Sequence, residues 1–304
     1  MTTQQDLRGV IVASITPMDR AGKLDTGAIR RLMAYYANSG LRGAFFPSSS
    51  GEYFALTAEQ RGACVREAAR HKAEGFALLA NISEGSLAAV WQNARQMADA
   101  GADALVLMPP QFHHHTQDEL IRFFTEAADA SPLPLILYNH MTRLPSRLDI
   151  STVLRLKEHP RIVGLKDTHN DAARLMALST QLDPGEDFLV FTGGDGMAGF
   201  GSLYGMEMLN ALCAIRPDLF LQIYEKGRAG DIGEVSRLQQ RVNRLAGIFT
   251  CLRGGAGSAV LFSQSIKGAL HLKGLCDTCA VQLGSALDDV ELKQIERILN
   301  TVDE

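Results

Sequence analysis

Eight times along this chain a short apolar run is followed by a longer stretch with helical spacing, and that alternation restricts the fold more than any other feature of the sequence. The runs are Val10-Ile11-Val12-Ala13-Ser14, Gly43-Ala44-Phe45-Phe46, Phe76-Ala77-Leu78-Leu79-Ala80, Ala104-Leu105-Val106-Leu107-Met108, Leu135-Ile136-Leu137-Tyr138, Ile162-Val163-Gly164-Leu165-Lys166, Phe188-Leu189-Val190-Phe191 and, less sharply, Met206-Glu207-Met208-Leu209. Runs that do not alternate with polar residues suit parallel strands covered on both faces, joined by crossover helices. One helix is expected to open at Thr57, where Gln60 stands three residues on as in a capping box. Another is expected at Thr116, ahead of Asp118 and Glu119, whose charges suit a helix N-terminus.

Such units filling about residues 9–230 match the ~250 residues of a (β/α)8, or TIM, barrel. Segments 232–245, 258–272 and 287–299 then read as further helices, a C-terminal helical extension over about 231–304. No low-complexity linker divides the chain, so one domain is expected. An open, doubly wound sheet is the competing architecture.

With 304 residues, 46% of them hydrophobic, the chain can bury a full core. A formal net charge of -4 offers no surplus of cations for a phosphate backbone, which argues against nucleic acid as a partner. Residues 1–8 are polar, and no stretch reaches the ~18 uninterrupted apolar residues of a membrane span, so a cytoplasmic location is expected. Five cysteines, odd in number and without a secretion signal, read as free thiols.

Lys166 ends the sixth run, and in a barrel the C-terminal strand ends open into the active-site face. A shielded amine there has its neutral form favoured by desolvation and can attack a ketone; the alternative is a lysine that merely caps a strand. Tyr138 ends the strand before it and brings a phenol to the same rim, where a carbinolamine needs a proton donor and acceptor. Its alternative is a buried ring with a local hydrogen bond. Ser48-Ser49-Ser50-Gly51-Glu52 follows the second run and gathers hydroxyls and N–H groups that can hold a carboxylate, although Ser49 and Glu52 also have capping-box spacing.

These residues together resemble the dihydrodipicolinate synthase and N-acetylneuraminate lyase family, barrel enzymes that bind pyruvate through a lysine Schiff base. Thr16-Pro17 resembles that family's opening, Ser49-Ser50-Gly51-Glu52 its hydroxyl-hydroxyl-Gly-Glu loop, Tyr138-Asn139 its Tyr-Asn strand end, and Gly164-Leu165-Lys166 its Gly-x-Lys. The resemblance runs over essentially the whole chain. It implies Lys166 as nucleophile, Tyr138 as proton shuttle, Ser49 and Ser50 as carboxylate ligands and proton relay, and Gly51 and Thr16 beside the substrate. It also implies a homo-oligomer, a dimer or a tetramer built from dimers, and chemistry that requires neither metal nor organic cofactor.

Arg143, five residues beyond Tyr138, falls where the synthase holds its second substrate's carboxylate, and an arginine fork suits that task. The sequence around it differs, reading Met141-Thr142-Arg143-Leu144-Pro145. Phe112 stands where the family usually has a tyrosine contributed across a subunit contact, and Asn81-Ile82-Ser83-Glu84 replaces the synthase's glycine-rich loop. The run His113-His114-His115 offers an acid, a base or a metal ligand, but consecutive residues seldom converge on one ion, so a solvent-facing loop is expected.

The expected activity is a Schiff-base lyase of class I aldolase type acting on pyruvate or a related 2-oxo acid, with an aldehyde as the second substrate. Within the family, a sugar-acid dehydratase or 2-keto-3-deoxy sugar acid aldolase is the alternative, and from another class a non-catalytic 2-oxo-acid binding protein, which Phe112 favours. A nucleotide-binding oxidoreductase rests only on the glycine spacing of Gly194-Asp195-Gly196-Met197-Ala198-Gly199, where the next run follows too soon for a full helix, so a barrel loop is expected. Cys276-Asp277-Thr278-Cys279 is a lone Cys-x-x-Cys, a poor zinc site.

Overall fold

The computed structural model describes residues 4–182, 188–253 and 258–304, so Met1 to Thr3 of the polar N-terminal segment lie outside the described residues. Strands and helices alternate as the apolar runs require: β1 (Val10–Ala13), α1 (Thr26–Asn38), β2 (Gly43–Phe45), α2 (Ala58–Arg70), β3 (Ala77–Asn81), α3 (Leu87–Asp99), β4 (Ala104–Leu107), α4 (Gln117–Asp129), β5 (Leu135–His140), α5 (Ile150–Lys157), β6 (Ile162–Thr168), α6 (Ala172–Leu182), β7 (Leu189–Thr192), α7 (Ala198–Leu203), β8 (Glu207–Asn210) and α8 (Pro217–Arg228). The sheet runs β1 to β8 in chain order and closes on itself, every pairing parallel, which excludes the open doubly wound sheet. Three further helices follow: α9 (Ile232–Leu245), α10 (Ala259–Leu272) and α11 (Asp289–Thr301).

Successive strand residues face opposite sides of the sheet. Ile11, Phe45, Leu79, Val106, Ile136, Leu189 and Phe191 fill the barrel interior, while neighbours such as Val12, Leu78, Leu105 and Leu165 pack under the helices. Both capping boxes form: Thr57 accepts from Gln60 N and Thr116 from Glu119 N, with the return bond present in each.

The seam between β1 and β8 is closed by Glu207, an acidic residue inside an apolar strand. Its buried carboxylate accepts from Gly9 N at 2.7 Å, from the Tyr224 hydroxyl at 2.7 Å and from Arg228 at 2.8 Å. A buried charge is tolerated only when it is paired and hydrogen-bonded in this way. On the opposite side, α10 and the segment after it lie along the first two strand-to-helix loops: Thr278 Oγ1 donates to Met18 O at 2.6 Å, and Lys267 reaches Glu52. The five cysteines are free, and among the described residues no helix is long and apolar enough to cross a membrane.

Candidate active site

β5 and β6 pair with Tyr138 opposite Lys166, so both side chains point inward at the same level of the barrel's C-terminal end. Lys166 is 2% exposed and Tyr138 1%. The Lys166 ammonium nitrogen lies 4.1 Å from the centre of the Tyr138 ring and 5.3 Å from that of Phe45. The Tyr138 hydroxyl shares a 3.1 Å hydrogen bond with Ser49 Oγ, in which either oxygen can donate. Burial pushes the phenol's pKa upward, but the Lys166 charge, the Ser49 hydrogen bond and Arg143 outweigh it and leave it below the ordinary tyrosine value.

The turn after β2 is folded by its own side chains. Ser48 Oγ donates to Ser14 O at 2.8 Å and accepts from Gly51 N at 3.2 Å. The Gly51 N–H is therefore turned inward, whereas those of Ser49 and Ser50 have no acceptor among the described residues. What position 51 needs is a missing side chain, because a Cβ there would stand 2.7 Å from Thr16 Oγ1 and 2.9 Å from Ser14 O. Among the described residues that Thr16 hydroxyl is buried without a hydrogen-bond partner. The capping-box alternative for Ser49 and Glu52 is not realised: Glu52 precedes a short 3-10 turn with no side-chain cap, and its carboxylate bonds elsewhere.

Behind the lysine, Asp167 faces outward and is held by four donors: His169 Nδ1 at 2.7 Å and His169 N at 3.2 Å, Arg174 Nε at 3.0 Å and Asn139 Nδ2 at 3.4 Å. Burial would raise this carboxyl's pKa, but the His169 hydrogen bond and the Arg174 charge bring it below the usual value. Asn139 also pairs with both N–H and C=O of Leu148, which locks the end of β5 to the loop that follows. After β7, Gly193 leaves room for the nucleophile: a Cβ there would come within 2.9 Å of Lys166 Cε and would collide with Thr168 Oγ1.

Arg143 is half-buried on the loop after β5, its guanidinium 5.7 Å from the Phe262 ring centre. His140, two residues past Tyr138 and therefore on the same strand face, accepts from Thr142 N at its Nδ1, 3.3 Å away, which leaves the proton on Nε2. Burial first, then Arg143, Lys166 and His169, push His140 down to about 3, so the ring is a neutral donor. His140, His169, Thr168 and Gly193 were not among the residues the sequence suggested. His140 had a signal, the two-residue period from Tyr138, but the others depend on strand ends that only the closed sheet defines.

Away from this cluster, Phe112 is 88% exposed, packed edge-on against His113. His113 and His114 are exposed, and His115 donates its N–H to Ser146 Oγ at 2.6 Å, as a loop would. The 81–84 segment is wired internally: Asn81 Oδ1 accepts from Ser83 Oγ at 2.7 Å, and Glu84 pairs with Arg61 at 2.6 Å. The Gly194–Gly199 spacing forms a 3-10 turn and the start of the six-residue α7. Its Asp195 is pushed up to about 6 by burial and accepts from Leu212 N at 3.0 Å.

An inward amine, a phenol beside it and a hydroxyl continuing the chain to a turn with two free N–H groups can add to a carbonyl whose substrate also carries a carboxylate. Comparison with known proteins agrees with that chemistry. The model of the dihydrodipicolinate synthetase family matches residues 6–285. The 4-hydroxy-tetrahydrodipicolinate synthase of Gluconacetobacter diazotrophicus is 27% identical over 293 residues, 96% of each chain. Among solved structures, dihydrodipicolinate synthase from Bacteroides thetaiotaomicron superposes with a TM-score of 0.90 at 27% identity, covering 97% of this chain and 98% of that one. YagE, a prophage protein of the dihydrodipicolinic acid synthase family from E. coli K12 solved in complex with pyruvate, gives 0.89 at 25% identity, with the same coverage.

Proposed function

Because this chain belongs to the dihydrodipicolinate synthetase family, we propose that it is a Schiff-base-forming lyase in which Lys166 attacks the keto carbon of pyruvate or a close 2-oxo acid. The observation that carries the reading is the in-register pair of Tyr138 and Lys166, both buried at the C-terminal end of the barrel interior. Lys166, as the free amine, forms the carbon–nitrogen bond; Tyr138 gives a proton to the departing hydroxyl, and water leaves the protonated imine. That imine is an electron sink, so a methyl proton can pass to the Tyr138 phenolate to give an enamine, which adds to the carbon of an aldehyde as Tyr138 returns the proton to the new alkoxide; water then hydrolyses the imine and frees the lysine. Run backwards, the same steps break a carbon–carbon bond.

The substrate carboxylate is received by the N–H groups of Ser49 and Ser50 and the Ser50 hydroxyl, with Thr16 beside them, which fixes the keto carbon over the amine and removes much of the entropic barrier. Ser49 links that turn to Tyr138 and relays its proton. Arg143 holds the second substrate at the outer edge. Borohydride added with pyruvate tests the reading: a stable adduct mapped by mass to Lys166, absent from K166A, is expected, and no adduct on the wild type rejects it.

Phe112 and the altered 141–145 loop favour a second substrate other than the synthase's, and dehydration of a deoxy sugar acid through the same imine is the second reading. Product analysis with pyruvate and a panel of aldehydes, against sugar acids alone, separates them. Pyruvate capture without turnover on any of these would instead make the chain a binding protein. We further propose a cytoplasmic enzyme assembled as a dimer or tetramer, which sedimentation equilibrium tests.

A further inference from the structure

Two charged side chains outside the reacting cluster are joined in the interior, and the proposed activity gives them no role. Lys267, on α10, is fully buried; its Nζ donates to Glu52 Oε1 at 2.6 Å and to Ala280 O at 2.6 Å. The other carboxylate oxygen of Glu52 accepts from Gln282 N at 2.8 Å. Glu52 follows Gly51 directly, and among the described residues it is the one non-glycine with a positive φ, 60°. A glutamate in that left-handed region is uncommon, and it persists only where its surroundings over-determine it. Here the surroundings come from more than 200 residues away in sequence, since Lys267 and Glu52 are 215 apart.

We infer that the Lys267–Glu52 pair is a positioning device by which the C-terminal extension sets the turn that receives the substrate's carboxylate. The chain of contact is short. Glu52 N donates to Ser49 O, and Tyr53 N donates to Ser48 O, so the backbone just after the turn is bonded to the backbone within it. Glu52 holds its left-handed conformation while its carboxylate is held, and the turn so fixed leaves the Ser49 and Ser50 N–H groups without an acceptor among the described residues. The inference rests on the reading of this turn as the carboxylate site. A solvent-facing glutamate could brace a loop equally well; sealing a lysine in the interior for the purpose makes sense where the position of the turn has to be fixed, because a buried pair tolerates little displacement.

The test uses full-length protein and pyruvate as the probe, reading borohydride trapping on Lys166 and exchange of the pyruvate methyl protons into heavy water as functions of pyruvate concentration. K267M leaves the Glu52 carboxylate buried with the Gln282 N–H but without its counter-charge. E52G keeps the left-handed backbone without penalty and removes the tie. Both are expected to raise the half-saturating pyruvate concentration about tenfold, with the exchange rate at saturation within about threefold of wild type, since Lys166 and Tyr138 are untouched. E52Q keeps one of the two acceptor contacts, through its amide oxygen, and loses the other together with the charge; it is expected to shift half-saturation about threefold, a partial rescue by the conservative change. If K267M does not fold, the contrast between E52G and E52Q carries the same information. A lowered melting temperature in K267M and E52G with unchanged half-saturation would make the pair a structural brace and overturn the inference. Absence of any Lys166 adduct in the wild type is a different outcome: it removes the pyruvate reading, and this inference with it.

Discussion

Tyr138 is the side chain whose chemistry is set most fully by its neighbours: the Lys166 nitrogen 4.1 Å from its ring centre, a hydroxyl on its oxygen and an exposure of 1%. Y138F keeps the ring and removes the proton relay, so turnover should fall by roughly 10²-fold or more while some Lys166 adduct still forms under borohydride. Single-turnover trapping beside steady-state rates checks this. His140 makes a prediction about stability. Its ordinary pKa near 6.5 falls to about 3 in the fold, so from about 6.5 downward the unfolded chain takes up a proton that the native ring refuses. Stability from this group is therefore lost as pH falls through that window. Asp195, raised to about 6, acts in the opposite sense, losing stability as pH rises from its ordinary 3.8. H140Q isolates the first effect: its melting temperature should drop less than that of wild type between neutral pH and about pH 5. Lys166 and Tyr138 were legible because strand ends in a barrel share one rim. His169 was not, since its partner Asp167 faces away from that rim and nothing in the linear sequence says so.

At the level of elements, the helix starts were the most readable, because a cap is a local bargain between residues three apart. T116A removes one such cap and should cost about 1 kcal/mol, measured by urea unfolding. The strands were readable as apolar runs, and the least clear of them, β8, was obscured by Glu207, whose charge is explained only by partners on α8 and before β1. Packing between strand ends left no trace in the sequence at all. G193A should slow Lys166 trapping about tenfold or more with little change in unfolding midpoint, because the added methyl displaces the lysine chain and not the barrel. A G193A protein that traps pyruvate at the wild-type rate would refute this account of the position.

For the molecule as a whole, counting runs gave eight strands but could not say whether they close, since closure is decided by contacts such as Gly9 to Glu207, 198 residues apart. The C-terminal helices were visible by their spacing, yet their reach to the catalytic end through Lys267 was invisible for the same reason. E207A strips the seam of its acceptor and leaves Arg228 and the Gly9 N–H without it. A loss of about 3 kcal/mol is expected, discounted for the half-exposed arginine and read from denaturant unfolding. That seam also has a consequence in time. β1 leaves the ribosome well before its partner β8, so while the strands between them are made the growing sheet carries an open apolar border at each side. Such borders invite neighbouring nascent chains. Yield in the cell should thus depend on how quickly the strands up to β8 follow β1, and slowing translation between them should send more of the protein into aggregates.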